Sequence, residues 1–330
     1  MDPGNLTWLA TPPRELPFAA AIGVLACAFA FGSLWGSFLN VVIARVPKGL
    51  SVVTPRSHCP KCKTQIAAYD NVPILSWLVL RAKCRTCSVA ISPRYPLIEL
   101  LGGLACTAAV ARFGLTLSAL ELTVFTLILI AISFIDLDTF SVPLSLVVGL
   151  GGSGLGFGFI RWLLNTTGAT ATAAGVDNSS ATADFFIDRL IGCVGAGLML
   201  SAIVVVATFI LRRVKGADGK PRVPAGETAM GWGDPMIIAG IGAYLGWQSM
   251  PLALFLASVV GSVVGLALKF SGRLKNRGPI SEEDQWIPPD DAVPFGPFLA
   301  LGGLLAAFFG NGIHDRLLPM LGLMPGGLAF

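Results

Sequence analysis

Charge is what this chain has least of. Only 13% of its 330 residues are Asp, Glu, Lys or Arg, against 54% hydrophobic, and the mean hydropathy is +0.74. Soluble domains carry about 25% charged residues, so an ordinary soluble fold is excluded and a membrane protein is implied. The formal net charge of +4 is too small to argue for a nucleic-acid partner. Residues 1–17 lack the basic region that opens a secretory signal, since Arg14 is offset by Asp2 and Glu15. The apolar run behind them, 18–44, is too long for a signal-peptide core and is expected to stay as a first helix. No internal repeat is visible, which counts against an ion-coupled transporter built from duplicated halves.

Apolar sequence in membrane-length blocks makes up most of the rest. Segments are expected at about 18–44, 96–112, 116–135, 142–164, 186–211, 235–248, 251–269 and 295–311, the sixth being the shortest. The expected fold is therefore all-α and polytopic, with about eight transmembrane helices and a small cytoplasmic zinc-binding loop domain between helices 1 and 2. Its parts are 1–44 (amino-terminal segment and first helix), 45–95 (the loop domain) and 96–330 (the remaining transmembrane domain). The stretch 165–185, rich in Thr, Ala, Ser and Asn, reads as a flexible loop. With the amino terminus outside, 45–95, 212–232 and 269–294 fall on one side and hold 18 of the 23 Lys and Arg, every lysine among them. The positive-inside rule makes that side the cytoplasm. One segment more or fewer would break the agreement.

Within 45–95 two CxxC knuckles stand 21 residues apart, Cys59-Pro60-Lys61-Cys62 and Cys84-Arg85-Thr86-Cys87. Each would bring two thiolates to one side of a tight turn, which suits a structural zinc held by Cys59, Cys62, Cys84 and Cys87. Disulfides or a redox pair are the alternatives, and a reducing cytoplasm disfavours the first. His58 reads as a surface histidine, and Cys27, Cys106 and Cys193 as small packing residues.

The scarce acids are the second signal. Met230-Gly231-Trp232-Gly233-Asp234 precedes Pro235 and an apolar run; Ile135-Asp136-Leu137-Asp138 lies between two others. Carboxylates at the mouths of membrane segments are costly and point to function. Both fall at the cytoplasmic face of the expected topology. Two close carboxylates cannot both ionise; the pair can hold one proton, one acid activating water while the other polarises a peptide carbonyl. Gly231 and Gly233 would let a neighbouring helix or an extended substrate come close. Taken singly, Asp136, Asp138 and Asp234 also read as caps of the helices that start near Pro143 and Pro235.

Longer motifs run through the chain in order. They are Gly36-Ser37-Phe38-Leu39-Asn40 through Arg45-Val46-Pro47, then Tyr69-Asp70-Asn71-Val72-Pro73 around the knuckles. Ile91-Ser92-Pro93-Arg94-Tyr95-Pro96 follows, then the two aspartate motifs, and finally Pro294-Phe295-Gly296-Pro297. In these the sequence resembles the bacterial type IV prepilin peptidases (leader peptidase/N-methyltransferase), aspartic proteases with a GxGD motif. The resemblance implies cleavage of a basic leader from type IV prepilins or type II secretion pseudopilins, then N-methylation with S-adenosylmethionine as methyl donor. It implies Asp136 and Asp234 as the catalytic acids, with Asp138 the alternative to Asp136, and a lipid bilayer as the setting. No residue is assigned to the methyl donor by spacing; the cytoplasmic zinc loop and Glu99 beside it are candidates, against the plainer reading of Glu99 as helix-end packing. Two positions depart from the family pattern: Leu144, where an Asp or Asn is usual, and Met236, where a lysine is usual. The acidic loop 281–291 reads as solvated, with steering of a basic leader as the sharper alternative. A zinc-stabilised assembly scaffold without chemistry is the remaining alternative.

Overall fold

The computed structural model describes residues 11–166, 182–215, 223, 226–271 and 293–320, and over these the chain is helical, with isolated bridges but no strand. The helices are α1 (Phe18–Arg45), α2 (Leu75–Val79), α3 (Arg94–Phe113), α4 (Leu117–Thr139), α5 (Leu144–Thr166), α6 (Thr182–Arg213), α7 (Gly233–Phe270) and α8 (Gly296–Met320). Most of the stretch expected as a loop at 165–185, and all of the acidic loop 281–291, lie outside the described residues.

Among the described residues six helices are long and apolar enough to cross a membrane: α1, α3, α4, α5, α6 and α7. A shorter apolar stretch, Gly296–Gly310, lies in α8. The expected eight include that shorter stretch and count α7 as two segments. At 38 residues it is about 57 Å long, nearly twice a hydrocarbon core of roughly 30 Å. It is broken at Gly246 (φ 73°, ψ 176°), and the segments expected at 235–248 and 251–269 are its two arms. Only glycine adopts that backbone readily. The break is served from α6, where the Asp188 carboxylate accepts the Trp247 N–H at the start of the second arm. A Cβ at Gly246 would run into that carboxylate.

The chain forms two compact units: 1–135 with 159–182, and 136–158 with 183–330. In the first, α1 and α3 pack backbone to backbone through glycines. A Cβ on Gly36 would stand 2.7 Å from the Glu99 Cα, and one on Gly102 would stand 2.6 Å from the Gly32 carbonyl. Gly32 and Gly36 are four residues apart, the small-residue spacing that lets membrane helices approach closely. Asn40 Nδ2 fastens the helix ends by donating to the Tyr95 carbonyl (3.2 Å). Arg94 donates to the Phe134 carbonyl in the last turns of α4 and lies over its ring. Deeper in this unit, Arg161 of α5 pairs with Glu121 of α4 (2.9 Å) and also donates to Ser118 (2.7 Å). Both charged groups are buried.

The second unit is centred on the first arm of α7, where Ile237, Ile238, Ile241, Ala243 and Tyr244 are fully buried. Its glycines again mark close approach: Gly242 meets Gly192 of α6, and Gly240 meets Leu150 of α5. Tyr244 donates to Ser153 Oγ (2.7 Å). The buried Arg189 donates to the Gly154 carbonyl (3.0 Å).

Candidate active site and metal centre

Asp136 lies in the last turn of α4 and is 6% exposed. Its Oδ2 accepts the Gly296 N–H at 3.0 Å, a residue 160 positions away at the start of α8. The first amides of a helix have no partner within it and carry partial positive charge, so α8 presents a ready donor to a carboxylate. Gly296 has no room for a side chain: a Cβ would stand 2.5 Å from Asp136 Oδ2 and 3.3 Å from Ile237 Cδ1. Gly296 belongs to the motif Pro294–Pro297, yet nothing in one sequence ties that motif to Asp136; the signal is long-range.

Asp234 is the second residue of α7 and is half-buried. It lies close enough to Asp136 to feel that group's charge. Its backbone N–H reaches the Gly231 carbonyl at 3.4 Å, and no side chain caps α7 from Trp232. Gly233 faces Val142 in the link between α4 and α5; a Cβ there would stand 3.3 Å from Val142 Cγ2. The structure thus brings Asp136, Asp234, Gly233, Val142 and Gly296 into one neighbourhood within the second unit. Asp138 is exposed, as expected two residues along a helix with 3.6 residues per turn. Met236 and Trp232 are also exposed. Asp136 does cap a helix, but the helix is α8 rather than the one that follows it.

The four cysteines come together in the first unit. All four Sγ atoms lie within 4.8 Å of one another, and Cys59 and Cys87 Sγ are 3.8 Å apart. A tetrahedral site with Zn–S bonds of 2.3 Å has edges of about 3.8 Å, so the set fits zinc. All four are free thiols. The two knuckles are built alike, at a constant offset of 25 residues. Cys59 and Cys84 each donate a backbone N–H to the residue five on (Thr64, Val89). Each also accepts one at its carbonyl from the residue four on (Lys63, Ser88), all at 2.9 Å. Lys63 and Ser88 both have positive φ, and bridges His58–Gln65 and Lys83–Ala90 close each loop. This short structural duplication is faint in the sequence, where only the cysteines and the flanking Arg56/Arg81 and Ile66/Ile91 match. His58 is exposed, with Nδ1 3.1 Å from the Arg56 carbonyl.

The thiols differ from one another. Thr64, through its hydroxyl and its amide, holds Cys62 down at about 6. The Cys87 and Thr86 amides hold Cys84 below the usual thiol range. At Cys87 the Val89 amide acts downward, but burial and the Cys62, Cys84 and Cys59 thiols push it up to about 11. Donors aimed at sulfur favour the thiolates a metal requires. Beside the knuckles, Arg85 pairs with Asp70 (2.5 Å) and lies over Tyr69. Glu99 of α3 accepts the Ile74 N–H at 2.7 Å, which ties the loop to the membrane helix.

A family model described as Bacterial Peptidase A24 N-terminal domain matches residues 30–113, and one described as Type IV leader peptidase family matches residues 123–266. A relative from Myxococcus xanthus (strain DK1622) is 33% identical over 91% of this chain and 94% of its own length. One from Stutzerimonas stutzeri is 32% identical over 91% and 96%, and one from Aeromonas hydrophila 32% identical over 86% and 90%. All three are named prepilin leader peptidase/N-methyltransferase. No solved structure matches the chain.

Proposed function

The chain belongs to the type IV leader peptidase family, and from that premise we propose that it cleaves the leader from prepilins or pseudopilins with Asp136 and Asp234 as the catalytic dyad. The observation that carries this is the meeting of the two acids across 98 positions of chain, at the mouths of two membrane helices. In the proposed reaction the dyad holds one proton. Asp136, whose carboxylate is supported by the Gly296 N–H, takes a proton from water as the oxygen attacks the scissile carbonyl carbon. Asp234 carries the shared proton and donates it toward the carbonyl oxygen. Collapse of the tetrahedral species breaks the C–N bond: the proton held by Asp136 goes to the departing amine, and a hydroxyl of the diol returns its proton to Asp234 as the new carboxyl group forms. Val142 and Gly233 form a narrow wall beside Asp234, suited to an extended main chain.

Zinc at Cys59, Cys62, Cys84 and Cys87 is structural in this scheme: four thiolates close the coordination shell and leave no open position for water. N-methylation of the new amino terminus from S-adenosylmethionine is the second proposed activity, resting on the relatives' names alone. Glu99 is engaged in holding Ile74 and is not assigned to it. The proposed setting is the bacterial inner membrane, with the acids at the cytoplasmic face where most Lys and Arg lie.

The test is cleavage of a prepilin with a basic leader by purified protein, with Asp136→Asn, Asp234→Asn and Asp138→Asn variants and methyl incorporation scored in the same samples. The first two changes are expected to abolish cleavage and the third to spare it. Cleavage surviving in either Asp136→Asn or Asp234→Asn would refute the dyad.

A further inference from the structure

The five-residue helix α2 leaves its large aliphatic side chains open. Leu75 is 60% exposed, Leu78 57% and Val79 75%, with Val72 and Tyr69 exposed beside them. Three exposed aliphatics within one short helix need a covering surface. α2 is held at two points. Its leading residue, Ile74, donates to Glu99 on α3 at 2.7 Å, and Trp77 Nε1 donates to the Ile91 carbonyl at 3.1 Å, three residues before α3 begins. α3 has only 20 residues, about 30 Å, so it needs its whole length to cross a hydrocarbon core. Glu99 stands five residues inside it, roughly 8 Å from its start, and side chains on a helix lean back toward its amino terminus. The Glu99–Ile74 bond therefore sets α2 at the level where α3 enters the bilayer.

Charge agrees with that level. Just past α2 come Arg81 and Lys83, both exposed, with Arg81 and Ala82 at positive φ turning the chain back. Apolar side chains beside exposed cations are the composition of an element lying in the headgroup boundary, where such elements bury about 5–10 Å deep.

We propose that α2 lies in the membrane interface: Leu75, Leu78 and Val79 enter the acyl boundary, and Arg81 and Lys83 meet anionic headgroups. The zinc loop would then rest on the bilayer as a fixed platform instead of swinging from the ends of α1 and α3. The occupant of this surface is lipid, because α2 is tied through Glu99 to a membrane helix whose own Leu97, Leu100 and Leu104 are exposed, and because the exposed cations Arg81 and Lys83 follow it.

The experiment places a photo-crosslinking phenylalanine analogue singly at Leu78, Val79, Leu104 and Gln65 of the full chain. The protein is held in nanodiscs of phosphatidylethanolamine and phosphatidylglycerol, and adducts are read by mass spectrometry. Thermal unfolding of each labelled protein verifies the fold. Leu104, exposed in mid-span, marks full lipid contact, and Gln65, exposed on a knuckle, marks background. Lipid adducts at Leu78 and Val79 approaching the Leu104 yield are expected. Phosphatidylglycerol should be enriched over its share of the disc at Val79, and the enrichment lost in Arg81→Gln/Lys83→Gln. Yields no higher than at Gln65 would overturn the proposal. So would adducts to a second protein chain in place of lipid, which would make α2 a protein-docking face.

Discussion

At the scale of single residues the candidate site turns on a glycine that carries no side chain to do chemistry. Gly296 contributes an N–H to Asp136 and the absence of a Cβ, and both matter because the carboxylate is almost wholly enclosed. Gly296→Ala keeps the N–H but must displace the Asp136 carboxylate. Misplacement by about 1 Å costs catalysis on the order of 100-fold. The expected outcome is a fall in kcat/KM of that size in a prepilin cleavage assay, with a melting temperature close to that of the parent. A melting temperature that fell along with activity would show Gly296 to be a packing residue only. The departures at Leu144 and Met236 look different at this scale: both side chains are exposed.

Among the helices, the features that matter are a broken one and a buried charge pair. Gly246→Ala is expected to destabilise α7 twice over. The backbone at φ 73° and ψ 176° costs about 1–3 kcal/mol for a residue with a Cβ, and the new methyl meets the Asp188 carboxylate. Adding Asp188→Ala removes the collision but not the strain, so thermal unfolding in detergent should show partial rescue at most. Full rescue would mean that the backbone at Gly246 had relaxed. Arg161→Leu leaves Glu121 buried without its guanidinium, and losing one partner of a buried pair costs about 3–5 kcal/mol. The double change Glu121→Leu/Arg161→Leu should cost clearly less than Arg161→Leu alone, and equal losses would show that the pair is not coupled. Neither feature was read from the sequence. Gly246 sits in an apolar run that reads as two ordinary segments, and Glu121 and Arg161 are 40 residues apart with nothing local to link them.

Taken whole, the molecule combines a thin polar loop with two helical units. Removing zinc is expected to open the loop and spare the helices. Cys84→Ser, or chelation, should lower bound zinc and expose the stretch 57–91 to protease while helical circular dichroism is retained. Acidification should do the same, since the ligands must be thiolates and protons compete with the metal for them. Zinc retained at pH 4 would argue against the four-thiolate site. Much of this organisation was legible in the sequence. The shortage of charge determined a membrane protein, because hydrocarbon excludes ionised side chains. The CxxC spacing pointed to a loop whose four thiols could hold a metal, because two thiols on one turn are set by local backbone geometry. The two aspartate motifs were visible because an acid beside an apolar run is rare. Only the tertiary structure decided that the two arms of α7 join at Gly246 against Asp188, that Glu99 anchors α2 to α3, and that α8 delivers its first amide to Asp136. Each of these depends on atoms brought together across tens to more than a hundred positions of chain. Composition and spacing report what neighbours in sequence can do, and these partners become neighbours only on folding.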